Sequence, residues 1–135
     1  MEMIPSEYVY DNIISGVTLN FPIYLGPMLG LTTSHTSIID TGSSANPKWL
    51  RDRYTIQIFG RYEKDKYAQG YNDMATIRDA ILGKDPETVT EGIWCQFLLL
   101  NGPSFIGVSE SMHQFSMNFQ MTFDADSGTH RQPIQ

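Results

Sequence analysis

The chain carries a single cysteine, Cys95, so no internal disulfide can form and no cysteine-rich metal framework can be built. Its longest apolar run, Phe97-Leu98-Leu99-Leu100, is the size of a strand and far short of the ~18 residues that cross a bilayer. Basic residues are scarce: nine Lys plus Arg stand against fifteen Asp plus Glu, for a net charge of −6. The one basic concentration, Lys48, Arg51, Arg53, Arg61, Lys64 and Lys66, is interleaved with Asp52, Glu63 and Asp65. That reads as a mixed solvated surface, which argues against tight sequence-specific nucleic-acid binding. Phosphate-loop and dinucleotide glycine motifs are missing, as is His-Glu-x-x-His. The first residues lack the basic start and apolar stretch of a signal peptide, so secretion by that route is not expected and the chain reads as cytosolic or intracellular at birth.

What is present is a respectable core supply. Of 135 residues, 41% are hydrophobic and 12% aromatic, which suits one domain of ordinary size and excludes wholesale disorder. Pro5, Ser6 and Glu7 open a short helix whose Val9, Ile13, Ile14 and Val17 recur at helical spacing, with Gly16 closing it. Residues 19–25 are apolar and rich in strand formers, but Pro22 makes the segment an edge strand or irregular. Residues 32–47 are mostly small and polar, and are expected to form the outer part of a long hairpin, so that deleting Ser34 to Asn46 should leave a folded domain. Residues 54–60 alternate as a strand with one wet face.

A helix is predicted over residues 67–82, with Tyr67, Tyr71, Met74, Ile81 and Leu82 as its apolar stripe, Ala75 and Ile77 at the margins and Gly83 as its cap. Residues 93–100 are hydrophobic almost throughout, which predicts a central strand covered on both faces. Asn101-Gly102-Pro103 reads as a turn. In the last strand Phe115, Met117, Phe119, Met121 and Phe123 alternate strictly with Gln114, Ser116, Asn118, Gln120 and Thr122, the pattern of a half-buried antiparallel strand. The predicted architecture is α+β: an antiparallel or mixed β-sheet with two helices packed on one face, a long β-hairpin, and a polar C-terminal tail. Residues 1–123 make the single domain and residues 124–135 a polar arm that orders against a partner.

Candidate chemistry is thin. His35, His113 and His130 fall in three separate segments, so a metal site would need all three to converge. Cys95, in the most apolar strand, reads as a small core hydrophobe rather than a nucleophile. Ser109, Glu110, Ser111 and His113 could be imagined as a small hydrolase, but the Gly-x-Ser-x-Gly elbow is missing and a turn role is favoured. Trp94 reads as packed. Trp49, beside Lys48 and Arg51, reads equally as an interface anchor or as a cover for the core edge. The residues chosen as interface candidates are His35, Asp40, Trp49, Arg51, Arg53, Asp124, Asp126 and Arg131. No catalytic residue, cofactor or metal ligand is assigned.

From Arg53 to Phe123, about half the chain, the order of segments resembles the tail terminator family of long-tailed bacteriophages, also described as minor capsid or neck proteins. The residues that carry the likeness are Tyr54-Thr55-Ile56-Gln57-Ile58, Phe59-Gly60-Arg61-Tyr62, the helix closed by Gly83, and Leu99-Leu100-Asn101-Gly102-Pro103. Phe105-Ile106-Gly107-Val108-Ser109-Glu110 and Phe115-Ser116-Met117-Asn118-Phe119 continue it. The Pro-x-x-x-Gly-x-x-Glu pattern at Pro103, Gly107 and Glu110, feeding a strand with Asn118-Phe119, weighs most. The first helix is shorter here than the family often has.

The resemblance implies a non-enzymatic structural protein of the virion. It implies a ring, usually a hexamer, that caps the tail tube and meets the head-side connector or head-completion protein. Its partners would be copies of itself, the tail tube protein and that connector, with no cofactor and no membrane. Genomic DNA would only pass through the lumen, and an acidic lining would not hold phosphate. Alternatives are another head-tail joining protein, a tail tube subunit, the small hydrolase above, or a nucleic-acid binder built on Lys48, Trp49, Arg51 and Arg53.

Overall fold

The computed structural model describes residues 5–27, 31–44, 52–83, 87–88 and 94–123. It is a mixed α+β fold with two helices and one open sheet. Helix α1 spans Pro5–Asn12, followed by a 3-10 turn at Ile14–Gly16 and a short strand β1, Ile23–Leu25. Strands β2 (His35–Ser44) and β3 (Asp52–Glu63) are antiparallel to each other. A 3-10 turn at Lys64–Lys66 leads into helix α2, Tyr67–Leu82. Then come β4 (Glu87–Thr88), β5 (Trp94–Ser109) and β6 (Met112–Phe123). The order across the sheet is β1-β2-β3-β6-β5-β4, with β1 parallel to β2 and every other pair antiparallel. Among the described residues no helix is long and apolar enough to cross a membrane.

The alternation of β6 sets the core. Register places Met117 opposite Ile58 and Ile58 opposite Ile38, while Phe119 faces Ile56 and Met121 faces Tyr54. Side chains of one parity in a strand share a face, so these residues form one continuous apolar surface. Tyr8, Val9, Ile13 and Ile14 from the N-terminal helical region and Met74, Ile77 and Ile81 from α2 join the same buried cluster. Pro5 is the first helical residue of α1, where the missing N–H costs nothing. Asp40 on β2 accepts from the Ser6 amide at 3.0 Å and from the Ser6 hydroxyl, tying the helix start to the sheet.

Four expectations need correction. The polar stretch after Thr32 is not an outer loop: residues 35–44 are strand β2, with Ser34, His35, Thr36, Ser37 and Ile38 all buried. Small hydroxyl side chains are admitted there because they find partners; Thr36 shares a 2.6 Å hydrogen bond with the Tyr62 hydroxyl. Deleting this segment would remove a paired strand, not an ornament. The stripe of α2 is also rotated. Its inward face is Gly70, Asp73, Met74, Ile77 and Ile81, while Tyr67, Tyr71 and Leu82 are exposed. Tyr62 decides this, because its ring lies where a Cβ on residue 70 would project, so only glycine fits against it.

The third correction concerns β5, which is not covered on both faces. Leu98 and Leu100 are exposed while Phe97 and Leu99 are half-buried. Fourth, Asn101-Gly102-Pro103 is not a turn but lies within β5, where the register with β6 shifts between Leu99 and Asn101 and again before Ser104. The reversal comes at Glu110 and Ser111, whose φ values of 52° and 63° are those of a two-residue hairpin turn. Gly83 does cap α2, donating its amide to Asp79 O at 2.9 Å.

Candidate functional site

Both helices sit on one face of the sheet, and among the described residues no helix lies over the side chains of the opposite parity. On that face register aligns His35 of β2, Arg61 of β3 and Gln114 of β6 in one row. The next rows are Ser37, Phe59 and Ser116, then Ile39, Gln57 and Asn118. Pro27 after β1 and Ser109-Glu110 of the β5–β6 turn close the sides. The result is a concavity of about 380 Å³ with a polar floor and Ile39, Phe59 and Pro27 as apolar walls.

Arg61 is its most unusual member. The residue is only 8% exposed, yet its bonds are long: Nη1 to Leu31 O at 3.4 Å and Nη2 to Ser109 O at 3.5 Å. Its Nη2 lies 3.7 Å from Glu110 Oε2, a carboxylate that is largely in solvent. The Arg61 Nε is buried with no hydrogen-bond partner. A buried guanidinium is ordinarily held by short, bidentate bonds, so this one retains donor capacity. His35 is buried beside it, its Nδ1 2.7 Å from the Thr33 carbonyl. A carbonyl only accepts, so Nδ1 carries a proton, and Nε2 of the neutral ring is an acceptor. Chemically the site can hold an anion or a polar group.

On the helix side, Asp73 of α2 is 2% exposed and accepts the amides of Asn20 at 2.8 Å and Phe21 at 3.0 Å, clamping the segment before β1 onto the helix. Burial pushes its carboxyl above the ordinary carboxylate range, and the bonds to Asn20 and Phe21 pull the other way. Burial likewise raises the Tyr62 hydroxyl well above its usual value, opposed by its bond to Thr36.

The interface candidates scatter. His35 is buried in β2 and lines the concavity, instead of standing in a loop. Asp40 is in β2 and bonded to Ser6, not at a loop tip. Arg53 is exposed near the start of β3. Trp49, Arg51, Asp124, Asp126 and Arg131 lie outside the described residues, as do Lys48, His130 and the side chains of Trp94 and Cys95. His113 bonds through Nε2 to the Lys64 carbonyl at 3.0 Å among Tyr67, Phe105 and Phe115. His113 and His35 are on opposite faces, and Glu110 is directed to Arg61, so the imagined serine–histidine–acid set is not assembled. Among the described residues no three His, Cys, Asp or Glu side chains gather as metal ligands.

Ser37, Gln57, Arg61 and Gln114 are not among the interface candidates that the sequence suggests. Strand parity was the available signal: in β3, Gln57, Phe59 and Arg61 share the face opposite Ile56, Ile58 and Tyr62. A second surface feature lies on β5. Leu98, Leu100, Phe105, Ile106 and Val108 are all exposed, Val108 by 61%. On its outer side β5 pairs with β4 only at Cys95 and Trp94, so among the described residues the edge from Gln96 to Ser109 is unpaired. No family model matches the chain, and a search of curated proteins finds no match.

Proposed function

We propose that this chain is a structural virion protein resembling a phage tail terminator, working as a ring that caps the tail tube and joins it to the head-side connector. The observation that carries the reading is β5: Leu98, Leu100, Ile106 and Val108 are exposed, and so is half of Phe105, on a strand whose outer edge is unpaired among the described residues beyond Cys95. Proteins that work alone blunt such edges, because unpaired backbone and apolar surface invite another chain. Here the opposite edge is protected, since β1 is three residues long with Pro22 before it and Gly26-Pro27 after it. The exposed strand therefore serves as the lateral contact between subunits. The helix-free face, rich in Gln57, Gln114, Asn118 and Gln120, provides polar surface for contacts along the axis.

Native mass spectrometry of the chain alone and with Leu98→Glu plus Val108→Glu tests the lateral contact. The wild type should form a closed oligomer, expected to be a hexamer, and the double variant should be a monomer with an unchanged melting temperature. Electron microscopy of particles with the subunit labelled should then show one ring between connector and tube. Labelled rings stacked along the tube would make the chain a tube subunit, and a wild-type monomer at every concentration would sink the proposal.

A further inference from the structure

We infer that the concavity on the open sheet face is a binding site for a carboxylate carried on an apolar stem. Three observations converge on this. Arg61 is buried, but each of its hydrogen bonds is 3.4 Å or longer and its Nε has none, so the strongest donor group of the floor is under-used. Short charge-assisted bonds, preferably two in parallel, are what a guanidinium makes when a carboxylate is properly placed. Among the described residues Glu110 is the one carboxylate within ion-pair distance of Arg61, and at 3.7 Å with its side chain 70% exposed it grazes Nη2 rather than engaging it, while Glu63, further along the same face, is turned to the Ser34 amide.

The second observation is the shape. The space of about 380 Å³ lies at the small end of ligand sites, and Phe59, Ile39 and Pro27 form an apolar wall beside the charge. A bare inorganic anion would leave that wall wet, whereas an organic acid covers it. Third, the flanking groups are amides and an imidazole whose Nδ1 is taken up by the Thr33 carbonyl. Gln114 stands opposite Arg61 in the register and can donate to the second carboxylate oxygen, while His35 Nε2 can accept from a hydroxyl or N–H on the stem. Glu110 is then a tethered competitor at the rim: a ligand carboxylate takes over the Nη2 edge, and Glu110 swings into solvent. This site is independent of the β5 edge and stands or falls separately from the assembly proposal.

The test is a titration of the ¹⁵N-labelled chain with 3-phenylpropionate, using 3-phenylpropionamide as the uncharged control and reading the Arg61 Nε–H and the Gln57 and Gln114 side-chain amides by NMR. The carboxylate should give saturable shifts at these groups, and the amide should bind at least tenfold more weakly. Glu110→Gln, at an exposed turn, removes the competitor and should tighten binding several-fold. Arg61→Lys keeps the charge but loses the fork and should weaken it about tenfold. If instead the Arg61 signals change with protein concentration and 3-phenylpropionate reverses the change, the natural carboxylate is an acidic side chain of a second copy; if they do not, it is a free small acid. Equal shifts from acid and amide, or Glu110→Gln binding more weakly than the wild type, would overturn the assignment.

Discussion

Replacing Gly70 with alanine should destabilise this protein, against the rule that alanine improves a helix interior. On propensity alone Gly→Ala in mid-helix is worth about 1 kcal/mol in alanine's favour. At Gly70 the new Cβ would stand 2.7 Å from Tyr62 Cε2 and closer still to Cδ2 and Cγ. The ring has nowhere to go. Gly60 presses it from the other side, where a Cβ would come within 2.6 Å of Cε2. Phe21 and Phe115 pack against it with centroids at 5.5 and 5.9 Å, and its hydroxyl is fixed to Thr36 at 2.6 Å. Overpacking a rigid core costs roughly 1–3 kcal/mol, and the clamped ring puts this site at the upper end. The net loss is then about 2 kcal/mol, which at roughly 2.1 cal/mol/K per residue lowers the midpoint by about 7 °C for a chain of this size. Urea denaturation and thermal scans of Gly70→Ala measure it. The same substitution in a Tyr62→Ala background should be neutral or stabilising, which isolates the contact as the cause. A higher midpoint for Gly70→Ala in the native background would refute the reasoning.

Asp73→Ala should cost about 1–3 kcal/mol, because the Asn20 and Phe21 amides lose their acceptor, and urea unfolding gives the figure. The carboxyl's folded pKa is raised, so the native chain binds this proton more tightly than the unfolded one. Its contribution is therefore largest below the unfolded pKa and falls as pH rises through the folded one, and Asp73→Asn should flatten that part of the stability–pH profile. A profile unchanged in Asp73→Asn would show that the group does not titrate abnormally. Phe119→Asp should abolish cooperative folding by burying an unpaired charge at the centre of the sheet; near-native solubility and melting would mean that the β6 face is assigned backwards.

Much of the fold was legible in the chain because some segments report their own surroundings. Strict alternation in β6 fixed which side of that strand is buried, and parity then carried the same information to β3. Proline and glycine marked β1 as an edge and Gly83 as the end of α2. The pattern failed where the deciding partner lies far away in sequence. The stripe of α2 followed Tyr62 rather than its own tyrosines, and β2 looked like a loop because its buried hydroxyls are satisfied by residues some twenty-five or more positions on. The strand containing Leu98 looked doubly covered, but apolar content cannot tell a face under a second layer from an exposed one.

By itself the sequence determined the period of each strand and helix, the places where hydrogen bonding must stop, and the lack of any chemical motif. Those are properties of short stretches, set by backbone sterics and by the spacing of apolar side chains. The tertiary structure alone decided that His35, Arg61 and Gln114 stand side by side, that Arg61 is buried with only long hydrogen bonds, and that among the described residues the outer side of β5 is unpaired beyond Cys95. These depend on inter-strand register and on which elements cover which face, and register is settled only when distant strands meet.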